Sequence, residues 1–247
     1  MNFTIQSLCH QGVVRSNNED AICYGIDQQN KVAWMLIADG MGGHNAGEVA
    51  SAMLVEHVKA QWDQLNFNNP PNWLAWITEQ LNTANLAILS QAEKSVSQQG
   101  MGTTGVLVVL EANICHLGWI GDSRAYFLKN NQLSQETIDH TMLQELVNKG
   151  AITAETAKQS NTKNLLSQAI GVQKNISVGT VTVELNNGDS MMLSTDGLHD
   201  YLSDDDIKYY LLRFAKKEDI CRDMINQAIA QKSRDNLTVG LVHFDQN

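Results

Sequence analysis

The longest apolar run in the chain, residues 32–38, is seven residues long and is followed directly by an aspartate, Asp39. That is the length of a buried strand rather than of a helix. Further strand-like runs occupy residues 104–110, 114–120, 124–129, 180–185, 190–194 and 237–244, several of them separated by short polar turns. Asn130-Asn131 and Asn187-Gly188 read as hairpin turns, because Asn and Gly tolerate positive φ, and connections this short predict antiparallel pairing. A different period lies between the strands. Leu74, Ile77, Leu81, Ala84 and Ile88 recur at spacings of three and four, one buried face of a helix that starts behind Pro70-Pro71. A second helix is predicted over about 47–65, and a third from Ser203, where Ser203 and Asp206 form a capping box. Helical blocks therefore separate clusters of antiparallel strands, which predicts an α+β fold. Over about 134–178 the pattern breaks into short pieces: a helix at 141–149 closed by Gly150, then a turn at 153–158. This segment reads as an inserted flap. The only two prolines are adjacent and no Gly/Ser-rich or charged linker divides the chain, so residues 1–247 are expected to form a single domain.

Composition narrows the function. Hydrophobic residues make up 43% and charged residues 18%, the profile of a folded protein. Seventeen basic against 27 acidic residues give a net charge of −10, which repels nucleic-acid backbones and anionic membranes. Acidic residues serve solubility, but they also gather around cations. Cys9, Cys23, Cys115 and Cys221 are scattered without a C-x-x-C pair, the pattern of reduced core residues rather than of a zinc ribbon or disulfide scaffold. The opening residues lack the basic start and apolar segment of a secretory signal, and no run approaches the ~20 residues of a membrane span. A soluble cytoplasmic protein is the expectation.

The chemistry concentrates in aspartates. Asp39-Gly40-Met41-Gly42-Gly43-His44 follows the apolar run and precedes a helix. It is no dinucleotide fingerprint, which would need glycine at Asn45, and no Walker loop, which would need Gly-Lys-Ser/Thr. An aspartate at the end of a buried strand is costly unless it is paired, hydrogen-bonded or metal-bound. The arrangement recurs at Gly121-Asp122-Ser123, Thr195-Asp196-Gly197 and Arg234-Asp235-Asn236, each at the edge of a predicted strand. Four such residues can converge at one end of a sheet sandwich and hold a cation cluster, and all-oxygen donors favour Mg²⁺ or Mn²⁺ over zinc. Asp204, Asp205 and Asp206 read instead as the start of a helix.

These fragments, in this order, resemble the metal-dependent serine/threonine phosphatases of the protein phosphatase 2C type, in particular their bacterial branch. The likeness runs through Arg15-Ser16-Asn17-Asn18-Glu19-Asp20, Asp39-Gly40-Met41-Gly42-Gly43-His44, Gly102-Thr103-Thr104, Gly121-Asp122-Ser123-Arg124-Ala125-Tyr126, Asp139-His140-Thr141, Thr195-Asp196-Gly197-Leu198 and Asp235-Asn236. The resemblance implies a four-layer α-β-β-α sandwich, two antiparallel sheets flanked by helices. It also implies hydrolysis of phosphoserine and phosphothreonine by a hydroxide bridging two Mn²⁺ or Mg²⁺ ions, with no enzyme-bound phosphate. Asp39 would bridge the metals, with the Gly40 carbonyl, Asp196 and Asp235 as further ligands. Glu19 and Asp20 would act through metal-bound waters, and Asp122 with Asp200 would serve a third, weaker ion. Arg15 matches the arginine that grips phosphoryl oxygens.

Two departures stand out. Met41 follows Asp-Gly where eukaryotic members carry His, so the proton for the leaving oxygen would come either from His44, whose other reading is a residue that caps or orients the loop, or from a metal-bound water. Gln168 stands where Arg is common at the flap exit. His140 reads as structural, at the root of the flap. The expected partners are phosphorylated proteins and a cognate serine/threonine kinase, with no nucleic acid and a monomeric state. A catalytically silent regulatory module on the same scaffold is the competing reading, and the presence of Asp39, Asp196 and Asp235 weighs against it.

Overall fold

The computed structural model describes residues 2–42, 46–158, 160, 165–215 and 219–245. In chain order its strands are β1 (Asn2–His10), β2 (Asp20–Asp27), β3 (Val32–Met41), β4 (Gly102–Thr103), β5 (Gly105–Glu111), β6 (Ile114–Ile120), β7 (Arg124–Lys129), β8 (Gln132–Gln135), β9 (Gly179–Glu184), β10 (Ser190–Ser194) and β11 (Leu237–Asp245). Its α-helices are α1 (Ala46–Trp62), α2 (Trp73–Lys94), α3 (Met142–Asn148), α4 (Ala154–Lys158), α5 (Asp196–His199), α6 (Asp204–Phe214) and α7 (Ile220–Ala230). The strands form two sheets, ordered β1-β11-β10-β7-β8 and β2-β3-β5-β6-β9, with the short β4 on the end of β3. Every pairing is antiparallel.

The alternation of β3 explains the layering. Its apolar run is continuous because both faces are buried. Trp34, Leu36 and Ala38 pack against α1 and α2 through Leu54, Val58, Ile77 and Leu81. Ala33, Met35 and Ile37 face the other sheet, meeting Phe127, Met191, Val242 and Phe244. A third core, with Met192, Leu198, Ile207, Phe214 and Met224, joins the outer face of the β1-β11-β10-β7-β8 sheet to α5, α6 and α7. Three cores between four layers make the α-β-β-α sandwich.

Local signals act where the sequence places them. Asn72 caps α2, its Oδ1 accepting from the amide of Ala75 at 3.0 Å, directly behind the proline pair. Ser203 and Asp206 close the capping box of α6. Thr141 caps α3, and Gly150 ends it at φ +69°. Asn130 and Asn131 take φ of 49° and 64° in the β7–β8 hairpin. The second expected hairpin is corrected: β9 pairs with β6 in one sheet, β10 with β7 and β11 in the other, so Asn187-Gly188 carries the chain between sheets. The turn docks on β11 instead, with Gly188 N–H donating to the Phe244 carbonyl at 2.9 Å. Strands β1, β2 and β8 and helices α5 and α7 are additions to the sequence reading. No helix of the described residues is long and apolar enough to cross a membrane.

Candidate active site

The aspartates meet at one end of the two sheets. Asp20 opens β2 opposite Asp39 near the end of β3. Asp122 sits in the β6–β7 turn, Asp196 follows β10 and Asp235 precedes β11. Backbone links fix this end. Thr104 N–H donates to the Asp39 carbonyl at 2.8 Å, Asp39 N–H donates to Thr104 Oγ1 at 3.0 Å, and Thr104 Oγ1 bonds Ser123 Oγ at 2.7 Å. Gly40 N–H donates to the Glu19 carbonyl at 3.0 Å. Here only glycine fits, because a Cβ on Gly40 would stand 2.1 Å from the Gly47 carbonyl oxygen and 2.6 Å from that of Glu19. The start of α1 is thereby pressed against the Asp39-Gly40 end of β3.

Proximity and burial both favour the protonated carboxyls. Burial, then Asp20, Asp196, Asp122 and Asp235, hold the Asp39 carboxyl well above its ordinary range. Asp20 is pushed up to about 7 by burial, reinforced by Asp196 and Asp235 and opposed by hydroxyl donors. Asp196 is raised to about 6, by burial and then Asp200 and Asp235. Burial, then Asp196 and Asp139, raises Asp122. Asp39 and Asp196 are close enough to hydrogen-bond each other. Carboxylates this near are all ionised at neutral pH only with positive charge between them.

That donor set fits Mn²⁺ or Mg²⁺. Among the described residues no three His, Cys, Asp or Glu side chains form a ready-made cage for one ion. Neighbouring carboxylates and the Gly40 carbonyl offer oxygen alone, and water would complete the shell, as Mg²⁺ in particular accepts.

The remaining expected residues are placed as follows. Arg15 Nη2 pairs with Asp235 Oδ2 at 2.7 Å, both side chains well exposed at 49% and 37%. An ion pair so open to water contributes little to stability and can exchange partners. Asp200 ends α5 and, with Asp196, lines both the pocket beside Arg15 and a groove of about 710 Å³ under α3 and α4, where Asp122 also lies. The backbone of Glu19 joins the site through its amide, which donates to Asn236 Oδ1 at 2.9 Å. His44 lies outside the described residues, as does the start of the flap exit at Asn164. His140 accepts from Gly121 N–H through Nδ1 at 3.2 Å and stacks on Trp119, a structural setting. Gln168 Oε1 accepts from Ser177 N–H at 2.7 Å.

Several organising residues were not singled out by the sequence reading. Asn236 Nδ2 donates to the carbonyls of Gln11 and Asn17 at 2.8 and 2.9 Å, so one buried amide shapes the Arg15–Glu19 loop. Thr195 and Thr238 donate hydroxyls to Asp20 Oδ2 at 2.9 and 2.7 Å. Arg124 forks onto Asp139 at 3.0 and 2.6 Å, tying β7 to the segment before α3. Asn85 on α2 accepts from Gly171 N–H at 2.7 Å. Apart from Asn85, which sits in the middle of α2 away from any motif, the sequence signal for these residues is a polar side chain inside or beside a motif.

Comparison with known proteins bears on the family and the fold. Residues 12–238 match the family model described as protein phosphatase 2C. "Serine/threonine phosphatase stp" of Listeria welshimeri is 33% identical over 238 residues, 94% of this chain and 92% of that protein. The serine/threonine phosphatase of S. agalactiae superposes with a TM-score of 0.91 at 32% identity, covering 99% of this chain and 100% of the other. The catalytic domain of the serine threonine protein phosphatase PstP, solved in complex with two manganese ions, superposes with a TM-score of 0.83 at 30% identity, covering 99% of each chain.

Proposed function

Because the chain belongs to the protein phosphatase 2C family, we propose that its acidic crevice hydrolyses phosphoserine and phosphothreonine in proteins. It is a metal-dependent serine/threonine phosphatase. The observation that carries this is the meeting of Asp39, Asp196 and Asp235 beside the Arg15 guanidinium, with the proton affinities of Asp39 and Asp196 raised by burial and then by their acidic neighbours.

Two Mn²⁺ or Mg²⁺ ions, when bound, supply the positive charge that makes water a nucleophile at neutral pH. Asp39, the Gly40 carbonyl, Asp196 and Asp235 would hold them, with Asp122 and Asp200 serving a third. The rest falls to the chain's own side chains. Arg15 presents a planar, permanently charged fork to the phosphoryl oxygens, which compete with Asp235 for it. Asp20, fixed by Thr195 and Thr238, and Glu19, placed by Asn236, orient water at the cluster's rim. We assign to His44 the proton that the leaving seryl or threonyl oxygen requires, on chemistry alone.

We further infer that residues 1–247 are one phosphatase domain in which 134–178 act as a flap. It works in the cytoplasm as a monomer, on proteins modified by a cognate serine/threonine kinase. The four unpaired cysteines support a reducing compartment. A silent module would bind metal without turnover, so release of phosphate from a phosphothreonine peptide, measured with Mn²⁺ and again after chelation, separates the readings. Turnover that disappears with the metal supports the enzyme.

A further inference from the structure

The crevice contains a second guanidinium that the chemistry above does not use. A pocket of about 380 Å³, within the range of ligand sites, has Arg15, Asp196, Asp200, Tyr201, Arg234 and Asp235 in its walls. The chain has five arginines. Four pair with an aspartate: Arg15 with Asp235, Arg124 with Asp139, Arg213 with Asp223 and Arg222 with Asp219. Arg234 is exposed and has no ion-pair or hydrogen-bond partner among the described residues, although it shares its pocket with three aspartates in a chain of net charge −10.

Its backbone, by contrast, is pinned. Ser233 Oγ donates to the Gly197 carbonyl at 2.8 Å and Ser233 N–H to the Ala228 carbonyl at 3.0 Å. On the other side Asp235 holds Arg15, and Asn236 holds the Arg15–Glu19 loop. A long side chain with an available charge therefore projects from a fixed point on the pocket wall. No carboxylate of the cluster comes within 4.0 Å of its guanidinium, the limit of an ion pair, whereas the Arg15 guanidinium meets Asp235 at 2.7 Å. The pocket extends to Val14, which is exposed, and Tyr201.

We propose that Arg234 is a specificity-determining residue that binds a second anionic group, a carboxylate or a phosphate, on the residue next to the phosphoresidue. This rests on the phosphatase reading above. A guanidinium fork suits either anion. It also offsets the repulsion that an acidic protein exerts on an acidic substrate.

The test uses the full chain with Mn²⁺ and phosphothreonine peptides that differ only in the neighbouring residue, on each side in turn: Ala, Asp, phosphoserine or Lys. Wild type should favour the Asp or phosphoserine neighbour over Ala in kcat/KM by about three- to tenfold, and added salt should shrink the preference. Arg234→Ala should bring the ratio to about one, and Arg234→Glu should shift the preference to Lys, with melting temperatures confirming that both variants fold. Preference for phosphoserine alone assigns the subsite to multiply phosphorylated segments, and preference for both assigns it to any anionic neighbour. A wild-type ratio near one, or an equal fall on all peptides in Arg234→Ala, would overturn the proposal. Failure of wild type to release phosphate from any peptide or from p-nitrophenyl phosphate would instead overturn the phosphatase reading on which it rests.

Discussion

The hydroxyl of Thr238, on β11 of one sheet, donates a 2.7 Å hydrogen bond to Oδ2 of Asp20, on edge strand β2 of the other. Thr195 donates to the same oxygen at 2.9 Å. The two sheets are thus fastened through one buried carboxylate at the end where the acidic cluster forms. Both donors favour its charged form, yet burial and the neighbouring aspartates outweigh them.

Removing one donor should therefore be costly. Thr238→Val keeps the shape but leaves Asp20 with one hydroxyl partner, and it should lower stability by about 1–3 kcal/mol at neutral pH. Urea denaturation of the two proteins checks this, and matching midpoints would show that the bond contributes nothing.

The raised Asp20 carboxyl gives a pH signature. Its folded value, about 7, lies above the ordinary 3.8, so below 3.8 both states hold the proton and the charge imposes no cost. Between those values the unfolded chain ionises first and stability is lost as pH rises, by an amount on the order of a few kcal/mol in all. Asp20→Asn has no such charge. Without metal, the stability of Asp20→Asn relative to wild type should increase steadily from about pH 5 to about pH 7.5. Comparing the two cancels the histidines, several of which shift the other way, and a constant difference would contradict the assignment.

Asp196→Asn should separate stability from function. Relief of repulsion among Asp39, Asp196, Asp200 and Asp235 should raise the melting temperature of the metal-free protein, while phosphatase turnover falls by more than the ~10–100-fold that loss of a ligand's supporting partner costs. Calorimetry and phosphate release on one preparation test both halves. Wild-type turnover would mean that another aspartate does this work.

Gly40→Ala should fail to reach the native state or melt far below wild type. The added Cβ meets backbone oxygens of Gly47 and Glu19, which cannot rotate away as a side chain can. Cost should exceed ~3 kcal/mol. Near-native circular dichroism and melting would show that α1 and the Asp39-Gly40 end of β3 are less tightly joined than described.

Much of this was legible in the sequence, for physical reasons. Strands β3, β5, β6, β7, β10 and β11 lie in sheet interiors, so they read as continuous apolar runs, and the capping residues of α3 and α6 act through neighbours three positions away. Edge strands β1 and β2 are only partly buried, which dilutes their pattern. Helix α7 buries Ile220, Cys221, Met224, Ile225 and Ala228 but is short and interleaved with polar residues. Asn187-Gly188 has the composition of a hairpin turn, and only the pairing of β9 and β10 with other strands shows that it crosses between sheets. In the site, each aspartate is marked by the strand it borders. The work of Asn236 is not, because its acceptors lie 225 and 219 residues away.

The central claim, that the crevice of Asp39, Asp196 and Asp235 is a metal-dependent phosphatase centre, is tested most directly by titrating metal-free protein with Mn²⁺ while counting bound ions and phosphate released from a phosphothreonine peptide in the same samples. The account predicts no release without metal, activity that rises as a pair of ions binds, and loss of both in Asp39→Asn. Full turnover by the exhaustively chelated protein, or undiminished turnover by Asp39→Asn, would contradict it.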